Sequence, residues 1–494
     1  MIYRIYPPIG IARLGNHPTE FFIASESPDG PGTEITTTGE VPVSEYKSGL
    51  NGSTATSFQV KRQAARFRIY EFENETSPGK EVVLPRGSHI KWSVRLVNKK
   101  DAVKRPGGPP ANLEETKVVV NNDRRERIID SNVQSVSSQG GAPVRLAGTY
   151  VGHDVLLGEI RTDDRGNLLV LGGAGISNTY ENPPAPVGGD FYNNPGWHDD
   201  VSDGPVAATI VLNNGTELSV QPAWVVVAPP DYAPAVRGVV TLYDRILDAA
   251  LEATPALTNI PAKPSFTHHI MPMIERARGL RWVHNSVTWG AVSGNFASLS
   301  DTSATAASKR KNVVRAITAV ETQFTHADYA FKLCKWQRDY LDKYEQGDFV
   351  ADFGTATPVD PAAPEVLTKT VLDGAVGEGL FPGIEMGRLI TNTNLYQSPF
   401  TFHLDHAKVK EGDLTALMAL PWQADFRKCA QGWWPTQRPN QIPGQPPRKD
   451  WDRGITGHQD LINNVMRLGV ITRRADVNGQ EVQEESRRDT TLPN

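Results

Sequence analysis

The chain has 494 residues, enough for about three domains of ordinary size or two large ones. Its 51 basic and 56 acidic side chains give a net charge of −5, which argues against nucleic acid as a partner. Hydrophobic residues make up 39% of the chain and charged residues 22%, which is typical of a folded globular protein and excludes a disordered one.

Targeting and cysteine content narrow the class of protein further. No apolar stretch approaches the roughly 20 residues that a membrane-spanning helix needs, so we expect a soluble protein with no membrane partner. The amino terminus shows no signal peptide, which predicts cytoplasmic synthesis and maturation, with any later export by another route. Two cysteines, Cys334 and Cys429, are too few for a disulfide framework or a multi-cysteine metal site.

Residues 1–235 carry the signals of β-structure. Apolar and polar residues alternate from Ile90 to Leu96, and Leu168 to Leu171 forms a short apolar run after a turn sequence. Val206 to Leu212 and Thr216 to Val220 are joined through Asn213-Asn214-Gly215, which predicts a hairpin. We expect a β-rich domain of antiparallel sheets with a sandwich-like arrangement.

Residues 236–494 are predicted to form a mainly helical catalytic domain, which makes the fold class α+β. Apolar residues at helical spacing between Leu242 and Ala250 precede a stop at Thr254-Pro255. Thr325 to Asp328 resembles a capping box ahead of one long helix, which would contain Cys334 as a buried, inert thiol. Proline-rich loops are expected at 355–366 and 435–449.

Three segments could bind a nucleotide or a metal, and each has a simpler structural interpretation. Gly173-Ala174-Gly175 follows a strand, but the residues after it cannot open the helix that a dinucleotide site requires. His198, Asp199, Asp200 and Asp203 lack the ligand spacing of a calcium loop and are typical of turns. His403, Asp405 and His406 would not all converge from a strand, so no metal site is predicted.

The segment around Cys429 has the most reactive composition. Asp425 precedes Cys429 by four residues, so on a helix the carboxylate and the thiol share one face. Trp422, Trp433 and Trp434 are close in sequence, and Trp451 follows 22 residues after the cysteine. A base beside a nucleophile is one interpretation; a helix that ends at Gly432, with tryptophans packing the core, is the other.

The segments PWQADFRKC, GWWPTQRP and WDRGITG resemble the carboxy-terminal half of the lysine ε-oxidase and glycine oxidase family. The blocks IYPPIGIARLGN, LLGEIRTDDRGNLLVLGG, GWHDDVSDGPVAA, PAWVVVAPPDYAP and LFPGIEM resemble the same family in the same order, so the likeness covers most of the chain. The cofactor of that family is cysteine tryptophylquinone (CTQ), which the enzyme makes from its own tryptophan and cysteine.

The resemblance implies roles for named residues. Cys429 matches the cross-linked cysteine, and Asp425 matches the aspartate needed for cofactor formation and serves as the expected catalytic base. Trp451 in DWDRGI is the expected quinone tryptophan, with Trp433 and Trp434 as alternatives because they are nearer in sequence. Glu385 and His458 are the alternative acid or base residues.

The resemblance further implies an oxidase that deaminates an amino acid or another primary amine with O2, giving an aldehyde or oxo acid, ammonia and H2O2. A flavoprotein maturation partner and a homo-oligomer are implied as well. The α-carboxylate of an amino acid could be bound by Arg281, Arg438 or Arg453, which the sequence does not rank. The alternatives are a non-catalytic or immature family member acting as a binding or structural protein, and a hydrolase or metal enzyme using the histidine and aspartate clusters.

Overall fold

The computed structural model describes most of the chain. The described residues are 1–28, 30–50, 58–104, 118–188, 192–256, 260–284, 292, 294–319, 321, 332–377, 383–428, 436–444, 447–475 and 481–486.

Strands dominate the first half of the chain. They are β1 Ile2–Tyr6, β2 Ile9–Arg13, β3 Phe21–Ile23, β4 Thr33–Thr36, β5 Gly39–Pro42, β6 Lys47–Gly49, β7 Phe58–Val60, β8 Arg62–Phe72, β9 Lys80–Glu81, β10 His89–Val94, β11 Val97–Asn98, β12 Ile129–Asp130, β13 Gln134–Ser137, β14 Val144–Tyr150, β15 His153–Thr162, β16 Leu168–Gly172, β17 Asn178–Thr179, β18 Trp197–His198, β19 Ser202–Val211, β20 Glu217–Ser219 and β21 Ala223–Ala228. A second hairpin, β22 Val470–Ala475 and β23 Glu481–Ser486, closes the described chain.

Most of these strands join one large sheet. Its pairs are mainly antiparallel, as predicted, but β2 runs parallel to β21 and β3 runs parallel to β8. The predicted hairpin is confirmed: β19 pairs with β20 across a tight loop in which Gly215 has a φ of 83°. Strands β2 and β21 are buried along their whole length, which agrees with the continuous apolar sequence of β21 and with that of β2 up to Arg13.

Helices lie mainly in the second half. The α-helices are α1 Lys100–Val103, α2 Leu242–Ala253, α3 Met271–Gly279, α4 Phe296–Leu299, α5 Ala307–Thr318, α6 Lys335–Gln346, α7 Pro364–Asp373, α8 Trp422–Lys428 and α9 His458–Asn464. Short 3-10 turns occur at Asn122–Arg127, Leu280–Trp282, Ala304–Ala306, Arg388–Thr391, Thr393–Leu395 and Val465–Arg467, and a π turn occurs at Phe266–Ile270.

Three local predictions are corrected by the structure. Cys334 lies at the N-cap of α6 rather than inside a helix, because its backbone is extended and its N–H donates to the Gln337 side chain. The loop predicted for 355–366 ends earlier, since Pro364 is the first residue of α7, where a proline loses no helical hydrogen bond. Asp203, predicted to lie in a turn, belongs to β19, because the absent Cβ of the next residue, Gly204, lets the Arg95 carbonyl approach the strand closely.

Residues of both halves share one hydrophobic core. The largest cluster packs Trp92, Val170 and Val225 of the sheet with Trp422 and Trp451 of the second half. The division into domains at 235/236 stays a prediction. In the part of the chain that is described, no helix has the length and apolar character needed to cross a bilayer.

Candidate active site

Helix α8 begins at a buried carboxylate. The peptide bond before Pro421 is cis, and the Trp422 N–H at the start of the helix donates to Asp199 Oδ2 at 3.0 Å. A carboxylate here satisfies a free N–H group and interacts favourably with the helix dipole. The predicted helix that carries Asp425 is therefore confirmed as far as residue 428, with its first turn attached to the β-rich half.

Two further side chains, those of Lys100 and Asn98, fix Asp199. Lys100 Nζ forms an ion pair with Asp199 Oδ2, and both side chains are fully buried. Asn98 Nδ2 donates to Asp199 Oδ1 at 3.0 Å and to the Asp199 carbonyl at 2.8 Å. A buried charge is tolerated only when it is paired and hydrogen-bonded, and Asp199 meets both conditions.

Asp425 lies in the first turn of α8 and is only 4% exposed. Burial lowers the pKa of Lys100, and the negative charges of Asp199, Asp200 and Asp425 oppose that effect. Asp425 is therefore within electrostatic range of the buried lysine. A carboxylate in such an environment is a suitable proton acceptor if a substrate reaches it.

Trp451 is fully buried, and its ring is held from several sides. Its indole N–H donates to the Gly469 carbonyl at 2.8 Å. The Tyr232 ring packs against it with a centroid distance of 4.8 Å, and the Arg438 guanidinium lies over it at 5.0 Å. These contacts fix the plane of the indole in the core.

Two buried polar residues join the Trp451 segment to helix α8. Arg438 donates from Nε to the Phe426 carbonyl at 3.0 Å and from Nη2 to Asp452 Oδ2 at 2.6 Å. Asp452 also accepts from Arg427 Nη1 at 3.2 Å. Asp452, the residue after Trp451, is thus bonded to Arg427 directly and to the Phe426 carbonyl through Arg438, at the end of helix α8.

Cys429, Trp433 and Trp434 lie outside the described residues, and so does the side chain of Lys428. Trp451, Tyr232 and Phe426, the residue after Asp425, belong to one hydrophobic cluster, in which the Tyr232 ring lies 6.3 Å from that of Phe426 and 4.8 Å from that of Trp451. The assignment of Cys429 and of the quinone tryptophan stays a prediction.

Glu385 takes part in a different buried network. Its Oε1 accepts from Arg13 Nη2 at 2.7 Å, and its Oε2 accepts from the Val376 N–H at 3.0 Å. Arg13 also donates to the Pro229 and Gly374 carbonyls. These contacts give Glu385 a structural role in joining β2 to the segment after α7.

His458 is half-buried at the first residue of α9. Its ring packs over Gly188, where a Cβ would lie 2.5 Å from His458 Cδ2, and Gly188 has a φ of 99°. The role of His458 as an alternative acid or base stays a prediction.

The aspartates of 198–203 act as anchors for the backbone. Asp203 accepts from the Trp224 indole at 3.0 Å and from the Thr415 hydroxyl at 2.6 Å, and burial raises its pKa to about 6. Asp200 accepts from the Gly175 N–H at 2.7 Å, and burial beside Asp199 raises its pKa to about 7. His198 is buried among tyrosine rings, and burial lowers its pKa to about 4.

The second histidine cluster, His403, Asp405 and His406, also makes structural contacts. His403 lies between the Thr401 and Ile5 carbonyls, at 3.1 and 3.2 Å from its ring nitrogens. Asp405 accepts from the Ala407 N–H, and His406 packs edge-on against Trp224. Among the described residues, no group of three or more histidine, cysteine or acidic side chains is placed to hold a metal ion.

Sequence reasoning missed several residues of this region. Tyr232 lies in the PPDYAP block that was recognised, but nothing in the sequence marked it as the partner of Trp451. Lys100 was also missed, since its partner Asp199 lies 99 positions away. Arg438 was named as a possible ligand of the substrate carboxylate, whereas its partner in the structure is Asp452, 14 positions later.

Comparison with known proteins decides the family. A sequence model of the N-terminal domain of L-lysine epsilon oxidase matches residues 6–227, and a model of its C-terminal domain matches residues 318–451. The chain belongs to this family. It is accordingly a quinone-dependent amine oxidase, and nothing in these matches favours the non-catalytic alternative.

Individual relatives agree with that membership. L-lysine 6-oxidase of Marinomonas mediterranea is 24% identical, with 87% of this chain and 71% of the relative aligned. The crystal structure of the L-Lys epsilon-oxidase from that organism superposes with a TM-score of 0.79 at 20% identity, over 99% of this chain and 95% of that one. The structure of its Schiff base intermediate with L-Lys superposes with a TM-score of 0.78 at 19% identity, over the same shares. These structural matches confirm the α+β fold of the lysine oxidase.

Proposed function

We propose that this oxidase carries cysteine tryptophylquinone formed from Cys429 and Trp451, and that it oxidatively deaminates the primary amine of an amino acid. The single observation that best supports the choice of tryptophan is the connection of the 451–452 segment to helix α8 through Arg438 and Asp452. That connection brings Trp451 beside the helix whose next residue is Cys429, despite the proline-rich loop between them.

The residues of the site fit the proposed cofactor. Trp451 is fully buried, so an oxygenated ring at this position would be protected from bulk water. Its N–H is bonded to the Gly469 carbonyl, which orients the indole without using the rest of the ring. When present, the quinone supplies an electrophilic carbonyl for a primary amine and accepts two electrons.

Asp425 is the proposed base. Its carboxylate is buried in the first turn of α8, four residues before Cys429, and can accept a proton from the cysteine thiol or from the substrate carbon that bears the nitrogen. The charge of Lys100 lies within electrostatic range of the Asp425 carboxylate.

The remaining residues position the site. Tyr232 packs against Trp451, and its hydroxyl donates to the Val465 carbonyl at 2.9 Å, so the ring of Tyr232 is itself fixed. Arg438 holds the carbonyl of Phe426 and the carboxylate of Asp452. A site fixed in this way needs little reorganisation during reaction.

We further propose, from the family resemblance, the products, the maturation partner and the oligomeric state of the enzyme. The products would be an aldehyde or oxo acid, ammonia and H2O2, with O2 as the oxidant. A flavoprotein partner would be required for maturation in the cytoplasm, and the mature enzyme would be a homo-oligomer. Lysine, the substrate in the name of the Marinomonas relative, is the first amino acid to test.

Mass spectrometry of the intact chain, produced together with a flavoprotein of this kind, tests the cofactor. We expect a chain two oxygens heavier and four hydrogens lighter than the unmodified sequence, with a peptide that joins Cys429 to Trp451. Trp451→Phe should remain folded and lack the cross-link, whereas Trp433→Phe and Trp434→Phe should keep it. A cross-linked peptide that contains Trp433 or Trp434 instead would refute the choice of Trp451.

A further inference from the structure

A small cavity, which we call the Asp231 cavity, lies between strands β2 and β3, the segment 231–237 and the carboxyl end of helix α7. Its volume is about 60 Å3, several times the roughly 10–15 Å3 that one water molecule needs. Sites for small organic molecules usually have volumes of roughly 300–1,000 Å3. The cavity therefore has room for a small ion with a few water molecules, but not for an amino acid or a nucleotide.

Asp231 is the acidic side chain of the described wall of this cavity. It is partly accessible, and its Oδ1 accepts from the Ala233 N–H at 2.8 Å. In the part of the chain that the structure describes, Asp231 forms no ion pair and no second hydrogen bond. Burial raises its pKa to about 6, so the carboxyl is mostly charged at neutral pH.

The charged side chains around Asp231 do not neutralise it. Among the described residues, the charges that act on Asp231 are those of Arg13 and Glu385, which have opposite signs and pair with each other at 2.7 Å. Arg237 also lines the cavity, but its charge acts on Asp373 rather than on Asp231. A carboxylate in a largely buried position without a paired cation costs free energy, and a bound cation would reduce that cost.

Tyr46, another residue of the wall, stays neutral, because burial and the charge of Asp231 both raise the pKa of its phenol. It therefore adds no charge that could repel a cation.

Two neutral side chains with oxygen atoms line the same cavity. Thr370 is only 4% exposed, and its hydroxyl has no hydrogen-bond partner among the described residues. Gln63 donates its side-chain N–H to the Ile11 carbonyl at 2.9 Å, which leaves its side-chain oxygen as an acceptor. Hard cations bind carboxylate, amide and hydroxyl oxygens, and divalent ions are usually bound by several carboxylates. A single carboxylate in the described wall therefore favours a monovalent ion.

We propose that the Asp231 cavity binds a small monovalent cation, ammonium or an alkali-metal ion, through the carboxylate of Asp231 and the side-chain oxygens of Thr370 and Gln63. The site is distinct from the proposed quinone, because Trp451 is not part of its described wall. It is nevertheless close in sequence, since Asp231 directly precedes Tyr232, whose ring packs against Trp451. Ammonium is the nitrogen product of the proposed reaction, so the choice of that probe rests on the proposed function, whereas the site itself does not.

Thermal unfolding of the full-length protein at neutral pH tests the site. The Tm is measured in ammonium, potassium or sodium chloride up to about 100 mM, with tetramethylammonium chloride keeping the total salt constant, because that ion has the same charge but is too large for the cavity. We expect at least one small ion to raise the Tm by roughly 1–3 °C, with saturation. A larger rise with ammonium would identify ammonium as the ligand, and a larger rise with potassium or sodium an alkali-metal ion.

Three variants assign the effect to the cavity. Asp231→Asn keeps an acceptor for the Ala233 N–H but removes the charge, so the ion-dependent rise in Tm should be lost. Thr370→Val removes one oxygen at nearly constant volume and should weaken the apparent affinity by roughly two- to tenfold. Asp342→Asn is the matched control, since Asp342 is exposed on α6 outside the cavity, and it should keep the full rise.

The wild type offers a test that needs no substitution. Protonation of Asp231 as the pH falls through about 6 should remove most of the ion-dependent rise by about pH 5. Circular dichroism checks that each variant is folded. No ion-dependent rise in the wild type, an undiminished rise at about pH 5, an equal rise in Asp231→Asn, or an equal loss in Asp342→Asn would each overturn the proposal.

Discussion

At the scale of single residues, the protonation of Asp425 is the step on which the proposed chemistry depends. Asp425→Asn keeps the size of the side chain but cannot accept a proton at neutral pH. We expect a folded chain whose quinone absorbance is absent or whose amine oxidation is at least about 100-fold slower, because a positioned general base typically contributes 10²–10⁴-fold. Absorbance spectra and peroxide release after amine addition measure these two effects.

Asp164→Asn provides the control for that substitution, since Asp164 is exposed in the turn between β15 and β16. It should mature and turn over as the wild type does. Normal absorbance together with normal turnover in Asp425→Asn would show that Asp425 is not the base and would leave His458 as the alternative to test.

The buried carboxyl of Asp200 makes a prediction about pH. Burial beside Asp199 raises the pKa of Asp200 to about 7 in the folded chain, above its value of about 4 in the unfolded chain. The folded state therefore binds the proton more tightly, and this contribution to stability is full below pH 4 and is lost as the pH rises to 7. In Asp200→Asn the side chain does not titrate, so the variant does not lose stability with rising pH in this way.

We expect the stability of Asp200→Asn relative to the wild type to increase by roughly 1 kcal/mol per pH unit between pH 4 and pH 7. Urea unfolding at a series of pH values measures the difference. Asp154→Asn, at an exposed position of β15, should show no such trend. A pH-independent difference for Asp200→Asn would mean that the carboxyl is already charged in the folded protein at acidic pH.

At the scale of elements, the start of helix α8 depends on the Lys100–Asp199 pair. Lys100→Met leaves the Asp199 charge buried without its partner, which typically costs 3–5 kcal/mol. Because Asp199 also accepts from the Trp422 N–H, we expect the cost to include loosening of the first turn of α8. Urea unfolding measures the free energy, and hydrogen exchange at residues 422–425 measures the helix.

Two variants distinguish a charge effect from a packing effect. Lys100→Met/Asp199→Asn removes both charges and keeps an acceptor for Trp422, so it should recover part of the lost stability. Lys335→Met alters an exposed i,i+4 pair with Asp339 and should cost no more than about 0.5 kcal/mol. A double variant as unstable as Lys100→Met would show that packing of the lysine stem, rather than its charge, is what matters.

The elements that could be predicted from the sequence are those with a local signal. The hairpin at Asn213–Gly215, strand β16 and helix α2 were predicted because turn residues and apolar periodicity act over a few positions. The start of α6 at Lys335 was missed, since the cap formed by Cys334 and Gln337 has an unusual composition. Cysteine is not among the common N-cap residues.

Only part of the candidate site could be predicted from the sequence. Asp425 and Trp451 came from a family resemblance that covers continuous blocks, and the structure buries both. Lys100, Asp199 and Tyr232 reach the region from distant parts of the chain through the large sheet. Long-range pairing of this kind depends on topology, which a single sequence does not encode in any local pattern.

At the scale of the whole molecule, the buried Arg13–Glu385 ion pair joins the β-rich half to the segment that follows α7. Arg13 of β2 donates to Glu385 at 2.7 Å and to the Gly374 carbonyl at 3.0 Å, and Gln437 Nε2 donates to the same carbonyl at 3.2 Å. The backbone of Gln437 in turn accepts from the Tyr232 N–H at 2.9 Å. This network therefore extends from the sheet to the partner of Trp451.

Glu385→Gln tests whether Glu385 is structural or catalytic. Loss of its charge leaves Arg13 buried without a counter-ion, so we expect a decrease of about 3 kcal/mol in the free energy of unfolding. The surface variant Glu75→Gln, in an exposed pair with Arg4, should change the free energy of unfolding by less than about 1 kcal/mol.

Because Glu385 is bonded to Arg13 and to the Val376 N–H, folded Glu385→Gln should keep its quinone absorbance and its pH profile of amine oxidation. A stable variant that instead loses turnover would identify Glu385 as the base and leave Asp425 with cofactor formation alone.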